Sequence, residues 1–188
     1  MSPFEFYFGF FGLIMGLAAV TLASGLADAL KSRKAVRFGV VTPLLALFML
    51  IDISTFWAIG WVQAQDIEIS YATIFFGLAT SLIYFLGASL VFPRDPSEWP
   101  SLDEYYDGHK RLPLAAVWIT NAAGSVATVG ETGEGYTPAT ILRIGLFFGG
   151  LVALMMVRNR RVNIFLLILL ILVNLTPAFV PSLAAVTR

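Results

Sequence analysis

Apolar residues in this chain neither alternate nor recur as narrow stripes. They fill six long runs, at residues 6–30, 38–62, 69–91, 114–129, 138–157 and 162–180, with the charged residues gathered almost wholly between them. A run of roughly 20 apolar residues, rising ~1.5 Å per residue as a helix, matches the ~30 Å hydrocarbon core of a bilayer. The pattern therefore predicts an all-α, polytopic bundle of six transmembrane helices with short connections. The fourth run is the weakest: it is short, follows Pro113 and contains Asn121 and Gly124. A re-entrant or strongly tilted segment is the alternative there.

The connections alternate in charge. Lys31, Arg33, Lys34 and Arg37 follow the first run, Arg94, Lys110 and Arg111 the third, and Arg158, Arg160 and Arg161 the fifth. The intervening connections carry Asp66 and Glu68, then Glu131 and Glu134, with no base. Under the positive-inside rule every basic connection faces the cytoplasm, which places both termini outside and fits six crossings. The longest connection, 93–111, contains Ser101-Leu102-Asp103-Glu104, a capping-box pattern that starts a short helix. Leu102, Tyr105, Tyr106 and His109 would share one face of it, either at headgroup level on the membrane surface or on a simple capped loop helix. The glycine-rich stretch 130–136 lacks the Gly-Lys-Ser/Thr of a phosphate loop and reads as an external turn.

Composition agrees with the pattern. Of 188 residues, 58% are hydrophobic and 13% charged, against about 25% charged in a soluble domain; mean hydropathy is +0.82. That length is filled by one membrane domain, 1–188, with no room for a separate soluble catalytic unit. Twelve basic and twelve acidic residues balance, so no surface advertises nucleic acid. The start of the chain lacks a basic n-region and its apolar run is too long for a signal peptide, so a retained first helix is expected. Absence of cysteine excludes disulfides, thiol nucleophiles and cysteine-ligated metals.

Three stretches carry a resemblance: Leu22-Ala23-Ser24-Gly25-Leu26-Ala27-Asp28-Ala29-Leu30 before a basic connection, Phe56-Trp57-Ala58-Ile59-Gly60-Trp61, and Leu90-Val91-Phe92-Pro93 followed by Leu102-Asp103-Glu104-Tyr105-Tyr106. Over roughly residues 8–111 the chain resembles a family of small bacterial inner-membrane proteins that has no established activity. The resemblance implies a bacterial membrane and the loop helix, and carries over no catalytic or binding residue.

Candidate chemistry centres on two charges inside runs, where an ionised group costs at least ~2.5–3.5 kcal/mol. Asp52 lies 14 residues past Phe38, about 21 Å along its helix and so roughly 9 Å below the outer face; Arg143 lies five residues past Pro138, about 8 Å below that face. Opposite charges at matched depth are expected either to pair in the outer half of the membrane, or to stand apart with Arg143 reaching the headgroups. Thr55, Ser54, Asn174 and Thr176 at a similar level, with Asn121, Ser81 and Tyr84 nearer the midplane, either line a polar cavity with the pair or make separate interhelical hydrogen bonds. Trp57 and Trp61, one turn apart, form an aromatic rim, as interface anchors or as a ligand cage. Pro43, Pro177 and Pro181 would kink helices. Gly12 and Gly16, and Gly145 and Gly149, have the GxxxG spacing of close helix contacts, within the chain or in a homo-oligomer.

Enzyme chemistry finds little support: the single histidine, His109, and the lysines Lys31, Lys34 and Lys110 all lie outside the runs, so no haem, metal, Ser/His/Asp or Schiff-base constellation forms within them. No cofactor is expected. The leading expectation is a small channel or carrier for an ion or small solute, surrounded by membrane lipids. The alternative is a non-transporting accessory or scaffold subunit that organises other membrane proteins or lipids.

Overall fold

A computed structural model describes residues 3–32, 36–63, 70–129 and 137–179. Arg33, Lys34, Asp66, Glu68, Pro181 and the stretch 130–136 lie outside the described residues. The helices are α1 (Pro3–Lys31), α2 (Val41–Gln63), α3 (Tyr71–Ser89), α4 (Leu102–His109), α5 (Arg111–Val129), α6 (Pro138–Met156) and α7 (Arg160–Phe179), with a 3-10 turn at Pro96–Glu98. No named strand occurs among the described residues. Six long helices match the six apolar runs, with ends displaced by a few residues. Four of them, α1, α2, α3 and α6, are long and apolar enough to cross a membrane by length and composition.

Two of the displaced ends have a physical cause. Gly39 turns the chain at φ +66°, and the Asp103 carboxylate of α4 accepts from the Val40 and Val41 amides at 3.0 and 2.9 Å. This cap, supplied from 62 residues away in sequence, starts α2 at Val41 rather than Phe38 by satisfying its orphan N–H groups. Pro43 then falls in the first turn, where its missing N–H costs nothing, so the expected kink does not arise there. Likewise α5 starts three residues early, because Lys110 is itself helical and passes the chain from α4 into α5. Pro113 again sits in a first turn, and the weak fourth run is one unbroken helix.

The six long helices form a closed ring in which each packs on two neighbours, in the order α1, α2, α7, α6, α5, α3. Inward-facing Met15, Leu22, Leu45, Phe48, Met49, Tyr84, Leu151, Leu154 and Leu167 fill its centre. Outward-facing Leu13, Leu17, Phe76, Leu142, Phe165 and Leu172 are exposed, an arrangement that suits lipid rather than water. Close approach falls to other glycines than the spacing suggested. Of the four in the GxxxG pairs, only Gly12 meets a neighbour, the Trp57 ring; a Cβ on Gly16, Gly145 or Gly149 would meet nothing within 4 Å. The tight crossings use Gly77 against Tyr7 and Gly87 against Ala116.

Helix α4 closes one end of the ring. Ser101 caps it, accepting from the Glu104 amide at 3.2 Å. Its Leu102, Tyr105 and Tyr106 are buried against the bundle rather than turned to headgroups, while His109 is exposed, stacked on the Tyr105 ring at 4.3 Å. Tyr105 donates to the Leu90 carbonyl at the end of α3, and Thr42 to that of Leu102. Lys110 is buried, lies over the Tyr106 ring at 5.3 Å, and donates to the Val157 carbonyl and the Asn163 amide oxygen. Burial pushes its ammonium pKa down, and burial with the nearby Asp107 and Asp103 charges pushes the Tyr106 phenol up. Arg160 pairs with Asp107 at 2.8 Å and approaches Asp103 at 4.0 Å. One short helix thus ties together the starts of α2, α5 and α7 and the ends of α3 and α6. Every basic connection described is gathered at this end.

Candidate functional site

Asp52 occupies the middle of α2, eleven residues from Val41 and eleven from Gln63, or about 16 Å from either end. The expected outer-half position moves to the helix centre because the Asp103 cap starts α2 later. The side chain is 2% exposed and turned into the ring. Three other helices each send it one donor. Tyr84 of α3 lies 3.0 Å from Oδ2, Asn121 of α5 donates to the same oxygen at 3.1 Å, and Asn174 of α7 donates to Oδ1 at 3.1 Å.

The geometry of each donor follows from its helix. Tyr84 is only five residues from the end of α3. Helical side chains tilt toward the helix N-terminus, so its long ring reaches back toward the ring's middle and brings its hydroxyl to Asp52. That hydroxyl also lies 2.9 Å from the Met49 carbonyl, one turn before Asp52. Asn121 is fixed twice, donating to the Val117 carbonyl at 3.0 Å as well as to Asp52. Asn174 has Asp52 as its single hydrogen-bond partner among the described residues.

Arg143 does not join this group. Phe48 and Phe147 pack at 6.3 Å between ring centroids, and Asp52 and Arg143 each lie one turn from that contact toward the end opposite α4, Asp52 at the centre of α2 and Arg143 five residues from the start of α6. Arg143 is only half-buried, whereas Asp52 is turned into the ring, and α7, which lies between α2 and α6, contributes Asn174 to the carboxylate. Both carboxylate oxygens are taken, and Arg143 makes no ion pair or hydrogen bond among the described residues.

The other candidates divide. Thr55 donates to the Ile51 and Asp52 carbonyls of its own helix, Ser81 to Gly77 and Leu78, Ser54 to Ile51 and Thr176 to Val173. These hydroxyls satisfy local backbone and contribute nothing to the Asp52 carboxylate. Trp57 and Trp61 pack edge-on against Phe8 at 5.1 and 5.3 Å. Together with Glu5, Gly9, Ser54 and Ala58 they line an open groove of about 520 Å³ between α1 and α2, away from the carboxylate. Sequence reasoning missed the Met49 carbonyl, which carries no residue-type signal, and Asp103, whose capping role needs the tertiary fold. No family model, curated protein or solved structure matches this chain.

Proposed function

We propose that this chain is a six-span protein of a bacterial inner membrane, with the α4 end in the cytoplasm, that carries an ion or small solute past Asp52 and is closed around that site in the arrangement described. The observation that carries the reading is the buried carboxylate that takes one donor from each of three other helices. An ionisable group at membrane depth is costly and is a functional candidate by default. Replacing buried ionic groups with well-packed apolar ones is often neutral or stabilising, so packing alone does not call for a carboxylate here. A carboxylate shared among four helices instead makes their packing depend on what occupies it, which is the requirement for a carrier.

The second reading, a non-transporting subunit that organises membrane proteins or lipids, is favoured by two observations. Asp52 is covered on every side, and Gly145 and Gly149 leave an open small-residue strip on the outward face of α6. Flux separates the two readings. Purified protein in proteoliposomes is tested with gradients of protons, sodium, potassium and chloride. The carrier reading expects a flux that Asp52→Ala abolishes; no flux under any gradient leaves the scaffold. Orientation is tested separately by introducing cysteines at Gly133 and Gly108. Only the first is expected to react with an impermeant thiol reagent in intact cells, on a chain that has no native cysteine.

A further inference from the structure

We propose that the ligand of the Asp52 site is a proton, held on Oδ2 and exchanged by a switch of the Tyr84 hydroxyl between two acceptors. The proposal rests on the carrier reading for its use, but its chemistry stands on hydrogen-bond geometry alone. A tyrosine hydroxyl has one hydrogen. Here it lies 2.9 Å from the Met49 carbonyl oxygen and 3.0 Å from Asp52 Oδ2, both acceptors when Asp52 is ionised. One hydrogen cannot point at both at once, so in the ionised state it is shared between the Met49 carbonyl and Oδ2, which also accepts from Asn121.

Adding a proton to Oδ2 gives each of the two Tyr84 contacts its own hydrogen. The new O–H bond on Asp52 donates to the Tyr84 oxygen, the Tyr84 hydrogen turns to the Met49 carbonyl, and every group in the chain Asp52–Tyr84–Met49 is satisfied. Tyr84 keeps its own proton throughout and only its O–H rotates. Asp52 loses its negative charge, and on release the proton returns to water as hydronium while the Tyr84 hydrogen swings back to the carboxylate.

A metal cation fits this arrangement poorly. Sodium or calcium needs several oxygen ligands, whereas the groups around the carboxylate are two amide N–H donors and the Tyr84 hydroxyl. Asn121 cannot turn its oxygen inward without setting that oxygen against the Val117 carbonyl. Other charges are few. Tyr84 is the titratable group that reaches Asp52 from α3. Near its level, α1, α5 and α7 bring no titratable side chain, and α6 brings Arg143, which is unpaired among the described residues.

The test is infrared difference spectroscopy of the full-length protein in lipid, titrated with acid and base. A carbonyl stretch of a protonated carboxyl should grow as pH falls, shift in heavy water, and vanish in Asp52→Asn. In Tyr84→Phe it should move in frequency, because the acid's own hydrogen-bond acceptor is gone. Should Asp52→Asn fail to fold, aspartate labelled with carbon-13 in the wild-type chain assigns the band to aspartate, and the Tyr84→Phe shift assigns it to Asp52. Absence of any titrating carboxyl band that responds to Tyr84→Phe overturns the proposal. Proton flux in proteoliposomes is scored in parallel. Titration at Asp52 with no flux under any of the gradients supports the proton site and defeats the carrier reading; flux without titration at Asp52 keeps the carrier reading and overturns the proton.

Discussion

Replacing Asp52 by alanine should cost far more than replacing it by asparagine, and the difference follows from which donors are left stranded. Alanine removes three interhelical hydrogen bonds, which in membranes average about 0.6 kcal/mol each, or roughly 2 kcal/mol together. Tyr84 keeps the Met49 carbonyl and Asn121 keeps Val117. The Asn174 amide has no second acceptor among the described residues, and an unsatisfied buried donor costs a further ~1–3 kcal/mol. Asparagine keeps the shape: its oxygen faces Asn174 and its amide donates to the Tyr84 oxygen while Tyr84 donates to Met49. The bond from Asn121 is the one lost. We expect about 3–5 kcal/mol for Asp52→Ala and under about 1 kcal/mol for Asp52→Asn, measured by reversible SDS unfolding in mixed micelles and followed by tryptophan fluorescence. Equal costs for the two variants, or a neutral Asp52→Ala, would refute the hydrogen-bond reasoning.

Gly12→Leu should destabilise the protein by roughly 1–3 kcal/mol through collision with the Trp57 ring, whereas Gly145→Leu should leave the unfolding midpoint of the monomer unchanged. Asp103→Ala removes the cap shared by the Val40 and Val41 amides and should cost about 1–2 kcal/mol. Asp107→Ala breaks only the exposed pair with Arg160 and should cost less than about 1 kcal/mol in the same unfolding assay. A double-mutant cycle on Asp52→Asn and Arg143→Gln should be additive within ~0.5 kcal/mol; coupling well above that would restore the ion pair that the structure does not form.

Much of this architecture was legible in the sequence, because bilayer-length apolar runs need no tertiary information. The runs gave the number and approximate bounds of the long helices, and alternating charge foretold that the described basic connections would share one end. The Ser101 cap of α4 was readable from four consecutive residues, but the use of its apolar face was not: Leu102 and Tyr106 are buried in a fold where α4 packs on α2, distant in sequence, as well as on α5. The site was half legible. Asp52, Tyr84, Asn121 and Asn174 stand out as polar groups in apolar runs, and residue counting put Arg143 at the level of Asp52. What counting cannot supply is the circular order α1, α2, α7, α6, α5, α3, which brings Asn174 to the carboxylate, or which side chains turn inward, as Tyr84 and Asn121 do and the half-buried Arg143 does not. Small-residue spacing misled for a similar reason. GxxxG marks where a backbone is able to come close, while Gly77 and Gly87, which do come close, have no such spacing.

Solvent access to the Asp52 site tests the central claim most directly. A carrier must open this buried cluster to water at some point in its cycle, while a scaffold has no need to. Asn174→Cys places a single thiol beside the carboxylate in a chain without other cysteines. In native membranes, treated with a small charged thiol reagent across a range of pH, the account predicts that this cysteine reacts and that its rate changes with pH as Asp52 gains or loses its proton. A cysteine that stays unreactive at every pH in the folded protein, and reacts only after unfolding in SDS, would contradict the account and leave Asp52 as an internal fastening of four helices.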